Sequence, residues 1–358
     1  MNDHSLAFLK TLLSTPGPSG DEAAPARVWR EEAKTFADEV TADVKGSSLA
    51  VLNGAPGMPR VLLAGHIDEI GIMVTHIDGD GFLWFTRVGG WDTQVFVGQR
   101  IRLLGKGKSK DEDVIGVIGK QAIHLIKPGD RDHASKIEDL WIDIGAKSKD
   151  EALQRVRVGT VGVIDCAVHE FPNGRIVSRS FDNRIGAFTV LEALRLLAQD
   201  RPAATVAAVA TAHEETMFGG AHTSAFAFEP QVAIAVDLTH ATDYPESNKR
   251  RSGDIALGGG PAITRGSAAS PVVFEMLADI AEREKIPYSV DASPNGTGTD
   301  ADAIHVSRGG VAAGVVSIPN RYMHSPNEMV QLSDVDSAAQ LIAAFVRSLT
   351  AETSFVPD

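Results

Sequence analysis

Cysteine is almost missing from this chain. Cys166 is the single thiol, which excludes an intramolecular disulfide and fits a reducing compartment. Its position at the end of an apolar run reads as that of a small buried hydrophobe, not a nucleophile. Positive charge is also scarce: 34 Lys and Arg against 47 Asp and Glu leave a formal net charge of -13, and no basic cluster exceeds Lys249–Arg251. Nucleic acid is therefore excluded as a partner, because phosphate contacts need a basic face. No apolar run approaches the length that spans a bilayer. The N-terminal stretch also lacks the basic start, uninterrupted apolar segment and small-residue cleavage site of a signal peptide. A cytoplasmic protein without membrane contact is expected. Internal repeats and low-complexity tracts are absent too.

What the chain does have is enough length, 358 residues at 43% hydrophobic and 23% charged, for one large domain and a smaller one. Periodicity and turn residues predict helices over 4–14, 21–38, 184–199, 270–285 and 334–349, with Ser333 or Asp334 capping the last. Strands are expected at 48–53, 60–65, 204–211, 232–237 and 311–318. Between Ile72 and Cys166 the texture changes to short β-rich runs (81–88, 100–105, 113–119) separated by Gly/Asp turns. The segment Lys127–Lys136 interrupts them as an expected mobile loop. The organisation read from this is an α/β three-layer sandwich around a mixed, largely parallel sheet, with an inserted small β-barrel-like domain. Residues 1–71 and 167–358 form the larger domain and 72–166 the insert.

In open α/β sheets ligands bind beyond the carboxyl ends of the strands. The run Ala203–Ala210, with alanine and β-branched valine throughout, reads as a strand buried on both faces, and it delivers Glu214 and Glu215 at its carboxyl end. Other strand ends deliver His66 and Asp68, then Asp237, then His324; Asp182 comes from a loop that precedes a helix. An acidic pair alone is ordinary surface. Several such residues at separate strand and loop ends are not, since leaving the carboxylates together without a cation would require protonation or several kcal/mol of repulsion. Nitrogen and carboxylate donors without thiolates suit Zn²⁺, Co²⁺ or Mn²⁺, and the inventory suffices for two ions roughly 3.5–4 Å apart with a bridging carboxylate.

Six segments in order, GHIDEIG (65–71), SFDNRIG (180–186), HEE (213–215), VDLTHATD (236–243), GTGTDADAI (296–304) and RYMHSPNE (321–328), resemble the TET-type dinuclear metallo-aminopeptidases. That family includes glutamyl, leucyl and lysyl aminopeptidases and members that carry an endoglucanase label. KIEDLWIDIGAKSKDEA (136–152) is similar to its inserted domain, so the resemblance spans nearly the whole chain. It implies two divalent ions per subunit, Zn²⁺ or Co²⁺ first and Mn²⁺ next. One is held by His66, Asp182 and Asp237, the other by Asp182, Glu215 and His324, with Asp182 bridging. Glu214 is then the general base and Asp68 the carboxylate that orients His66. Thr299 and Asp300 would shape the pocket for the first side chain of a peptide, although an aspartate capping the next helix explains that turn equally well. Arg184 is expected to hold the aspartate loop together. A dimer-based tetrahedral dodecamer, with 72–166 supplying contacts, is the implied assembly.

The chain departs from the family pattern at His213, where a glutamine is expected, and over Thr216–Ala221 (TMFGGA); neither change removes a ligand. Aminopeptidase activity is the leading expectation. A dinuclear deacylase or deacetylase of N-acyl amino acids and a noncatalytic oligomeric scaffold are the alternatives. Glycoside hydrolysis is the least attractive, because its two carboxylates face each other across a sugar about 5–10 Å apart, which adjacent Glu214 and Glu215 do not offer.

Overall fold

A computed structural model describes residues 1–105 and 112–357. Its centre is an eight-stranded sheet in the order Glu39–Ala42, Ser48–Leu52, Thr205–Thr211, Arg60–His66, Val232–His240, Ala312–Asn320, Ala262–Gly266, Ser289–Ser293. The four middle strands are parallel. The two N-terminal strands are antiparallel, as is the join between Ala262–Gly266 and Ala312–Asn320. The sheet is thus mixed with a parallel heart, as the sequence predicts.

Alternation along the middle strands explains the three layers. Val61 and Leu63 point to one face with Val206, Ala208, Ile234 and Val236, where they pack against Leu9, Leu12, Trp29, Phe188 and Phe345. Those partners belong to the helices Asp3–Ser14, Ala23–Ala33, Phe181–Gln199 and Leu332–Ser348. Leu62, Ala64, Ala207 and Val209 point to the other face and meet Ala221, Ala225, Phe228 and Ile304 of the helices Gly219–Phe228 and Ala301–Ile304. Both faces are apolar because both are covered.

The chain leaves the sheet after His66 and enters a closed six-stranded barrel. Its strands are Gly71–Ile77, Leu83–Val88, Trp141–Asp143, Val114–Gly119, Arg100–Leu103 and Val161–Ile164 in spatial order, every pairing antiparallel. Closure leaves no free sheet edge, and inward residues such as Ile72, Phe85, Phe96, Ile101 and Ile118 fill it.

Several local expectations change. The second helix is shorter than 21–38, ending at Ala33. The last helix starts at Leu332, and Asp334 does not cap it; its carboxylate accepts the backbone N–H groups of Gly258 and Gly260. Lys127–Lys136 is irregular, but its end is tied down: Thr93 Oγ1 donates to the Ser135 carbonyl at 2.7 Å and Lys120 Nζ to Ser135 Oγ at 3.0 Å. A third, antiparallel sheet of His169–Phe171, Arg175–Ser178 and Glu328–Gln331 has no strong sequence signal, because its strands are three or four residues long.

Candidate metal centre

The parallel strands Arg60–His66, Thr205–Thr211 and Val232–His240 end side by side, and the turns leaving them hold the site. His66 is the last residue of its strand and is buried. Its Nδ1 lies 3.1 Å from the Asp68 carbonyl oxygen and 3.4 Å from Asp68 Oδ1. An N–H donated there leaves Nε2 as the free donor atom, and that atom lies 3.2 Å from Asp182 Oδ1 and 3.5 Å from Glu214 Oε2.

Asp68 does more than orient the imidazole. Its two oxygens accept the backbone N–H groups of Glu214 and Glu215, each at 3.1 Å. One buried carboxylate therefore hangs the turn Glu214–Met217 beside His66. His213, just before it, is left-handed (φ 62°), and its N–H donates to Glu22 Oε1 at 3.2 Å. Ser180, Phe218, Tyr322 and His324 are left-handed as well, a concentration of unfavourable backbone around one site that surrounding contacts must hold.

Asp182 sits at the start of the long helix, before its regular turns begin at Arg184; the Asp182–Asn183 peptide is cis. Asn183 Nδ2 donates to the Val236 carbonyl at 2.7 Å, which ties this turn to the strand that carries Asp237. Asp182 Oδ2 lies 3.2 Å from His324 Nε2, so its two oxygens face two different histidines. Glu215 Oε2 is 3.9 Å from His324 Nε2, while its buried Oε1 has no hydrogen-bond partner.

Two groups bring their ligand atoms within 4.8 Å of one another: His66 with Glu214 and Asp237, and His66 with Asp182 and Glu215. They differ from the sets implied by resemblance, since Glu214 takes the place of Asp182 in the first group and His66 that of His324 in the second. His324 stands on the far side of Asp182. Thr299 lines the cavity. Asp300 does not: it is buried, with one oxygen accepting from Thr211 Oγ1 and the other without a partner, and though it holds the N-cap position of the helix Ala301–Ile304 its side chain makes no capping hydrogen bond.

The electrostatics favour cations. Burial, reinforced by Asp237, Asp300 and Asp182, pushes the Glu214 carboxyl up to about 10. Glu215 and Asp237 are also raised well above the usual carboxylate range, first by burial and then by Asp182. Burial opposes a charged His66, but Glu214, Asp182 and Asp68 outweigh it and hold the imidazole pKa well above its ordinary value. Burial would raise Asp182 too, yet His324 and His66 hold it below its usual value. Carboxylates compressed this way, an orphan oxygen on Glu215 and nitrogen donors without sulfur fit hard or borderline divalent ions.

Sequence reasoning missed several supports. Glu328, in the quoted RYMHSPNE, is buried and accepts the N–H of Asp182 at 3.0 Å and of His324 at 2.9 Å, setting two site residues with one side chain. Glu69 pairs with Arg179 and with Arg184, 2.8 Å away; Arg184 also donates to the carbonyls of Ile67 (3.1 Å) and Leu12 (2.8 Å). Arg184 thus binds the N-terminal segment and the His66 turn to the long helix, a wider role than holding the aspartate loop. The barrel side contributes two glycines. A Cβ on Gly90 would come within 3.1 Å of the His324 ring, and one on Gly89 (φ +75°) within 3.1 Å of Glu215 Oε2. No sequence pattern gives such approaches. Beside these residues opens a cavity of about 420 Å³, walled further by Phe218, Leu238, Thr264, Asp291, Val315 and Met323.

An α/β sandwich with a buried histidine and carboxylate cluster at its parallel strand ends belongs to the class of metal-dependent hydrolases. A family model described as M42 glutamyl aminopeptidase matches residues 46–341, and the chain belongs to that family of peptide-bond hydrolases. It is 34% identical over 346 residues to a lysyl aminopeptidase of Pyrococcus furiosus, covering 96% of either protein. The structure of an aminopeptidase from the archaeon Desulfurococcus kamchatkensis superposes with a TM-score of 0.90 at 36% identity, over 98% of this chain and 96% of that one. A Pyrococcus horikoshii TET1 peptidase described as able to assemble into a tetrahedron or a large octahedral shell gives 0.84 at 30% identity, over 96% and 100%. No helix among the described residues is long and apolar enough to cross a membrane.

Proposed function

We propose that the protein removes the first residue of peptides with the help of two divalent cations, Zn²⁺ or Co²⁺ foremost and Mn²⁺ next. His66, Asp182 and Asp237 would hold one, and Asp182, Glu215 and His324 the other. The observation that carries this reading is Asp182, whose two oxygens lie 3.2 Å from two separate histidine Nε2 atoms, the disposition a bridging ligand needs. Bound there, the ions would acidify a water and polarise the scissile carbonyl.

The remaining steps fall to the chain itself. Glu214, buried with Oε2 3.5 Å from His66 Nε2, takes the proton of the attacking water and returns it to the leaving amine. Asp68 holds the Glu214 turn and His66 in register through its hydrogen bonds. A free α-amine would be held by a cation or by a carboxylate beside the site, an anchor that N-acylation removes. Cleavage is thereby confined to the first residue.

The test is Glu214→Gln, which keeps size and hydrogen bonding while removing the base. Metal analysis should find both ions retained, and turnover of aminoacyl amides should fall about 10²- to 10⁴-fold. Full activity with metals bound would overturn the assignment, as would equal cleavage of free and N-acetylated substrates by the wild type. The protein is further proposed to form a dimer-based tetrahedral dodecamer through residues 72–166. Met73, Val97, Ile115 and Val117 expose apolar surface in this region, which supports the idea. Light scattering of a monomer would reject it.

A further inference from the structure

The cavity has a direction that the catalytic cluster does not use. Parallel pairing sets Asp237 beside Ser317 on the neighbouring strand, and the antiparallel join sets Ser317 beside Ala262. Side chains two apart share a face of a sheet, so Val315 and Thr264 lie on the same side as Asp237. Thr264 in turn pairs with Asp291 on the edge strand. One face of the sheet thus runs from the ion cluster across Ser317, Val315 and Thr264 to Asp291, all of which line the cavity.

Asp291 is the acidic residue at the far end. It is half-buried, and the Thr239 hydroxyl donates to its Oδ2 at 3.4 Å; it has no ion pair among the described residues. Among the described residues neither lysine nor arginine lines the cavity, whereas Asp182, Glu214, Glu215, Asp237 and Asp291 do. On the two-ion reading, two divalent charges would offset four of these five carboxylates and leave Asp291 without a counter-charge. Between the ends, Leu238, Val315 and Met323 offer apolar surface for an aliphatic stem. Thr264 and Ser293 stand near Asp291 with hydroxyls able to accept further N–H groups.

We propose that Asp291 makes this cavity the pocket for a cationic first side chain, so that the enzyme prefers peptides beginning with lysine or arginine. The inference rests on the aminopeptidase reading of the site. A long stem packs on the apolar wall while the ammonium or guanidinium meets Asp291, and an acidic first residue would bring like charge to the same point.

The test compares lysyl, arginyl, leucyl and glutamyl amides with the wild type, Asp291→Asn and Asp291→Glu. The wild type should favour the cationic pair. Asp291→Asn should lose about ten- to a hundredfold in kcat/KM on that pair, the worth of one charge-assisted hydrogen bond, with leucyl turnover kept as the folding control. Asp291→Glu should retain the preference. A calorimetric arm needs no turnover: free L-lysine should bind more tightly than L-norleucine, and Asp291→Asn should erase that difference. A wild type that favours leucyl or glutamyl substrates, or an Asp291→Asn protein that loses on all substrates alike, overturns the proposal. Hydrolysis of N-acetylated substrates alongside an intact lysine preference in calorimetry overturns the aminopeptidase reading and supports the pocket.

Discussion

Between residues 72 and 166 the buried side chains form an apolar cluster around Ile72, Phe85, Phe96 and Ile118, and among the described residues Thr160 is the one buried polar side chain there. At the carboxyl edge of the eight-stranded sheet, by contrast, His66, Asp68, Asp182, Asp237 and Glu328 are buried within one site. The first region is held by area removed from water and tolerates apolar residues that fill the same space. The second concentrates charge where burial penalises it, and it is stable only through the backbone donors that Asp68 and Glu328 collect and the cations it is proposed to hold. The two regions meet at Gly89 and Gly90, where a loop from the barrel side lies against Glu215 and His324.

This contrast can be broken from either side. Truncating Phe96, fully buried with its ring edge-to-face against Phe85 at 5.6 Å and tilted against Trp91 at 4.7 Å, should cost about 3–5 kcal/mol in denaturant unfolding. Metal affinity of the folded Phe96→Ala protein should stay close to wild type. A large loss of affinity at equal folded fraction would mean that the barrel shapes the ligand cluster through more than two glycines.

A smaller effect is expected at Asp243 and Arg321, which join the loop after the Asp237 strand to the loop carrying His324. Arg321 donates from Nε to Oδ1 at 2.9 Å and from one terminal nitrogen to Oδ2 at 2.6 Å. Burial alone would raise the Asp243 pKa, but the guanidinium outweighs it and holds the carboxyl below its usual range. A depressed carboxylate pKa contributes stability that is present above the ordinary value near 3.9 and is lost as pH falls through the folded value. Asp243→Asn should therefore cost about 1–2 kcal/mol at neutral pH in this partly exposed pair, with the difference from wild type shrinking in acid below about pH 4. A cost independent of pH would show that the pair acts through shape and not through charge.

Much of the site was legible because a parallel sheet presents its ligands at strand ends, and an apolar run followed by His or Glu marks such an end. His66, Glu214, Glu215 and Asp237 could be collected this way, and Asp182 and His324 by the loops around them. The barrel was legible from short β-rich runs between turns. Glu328 was not, although it stands four residues after His324, because its role is to accept backbone N–H groups from Asp182 and His324, two segments far apart along the chain. Asp300 shows the opposite failure. Its turn points to a pocket, but its side chain goes to Thr211 at the end of a strand.

What the sequence alone determines here is the chemistry available: which strands are buried, where they end, and a donor set of imidazole and carboxylate without thiolate. Those properties reside in local pattern and residue type. Only the tertiary structure decides which of the carboxylates faces an ion, which one holds backbone, and which one is left over at the end of a cavity. Asp68, Glu328 and Asp291 are chemically alike in one dimension. They are separated by burial, by the partners that the sheet register brings to them, and by the distance that register places between each of them and His66.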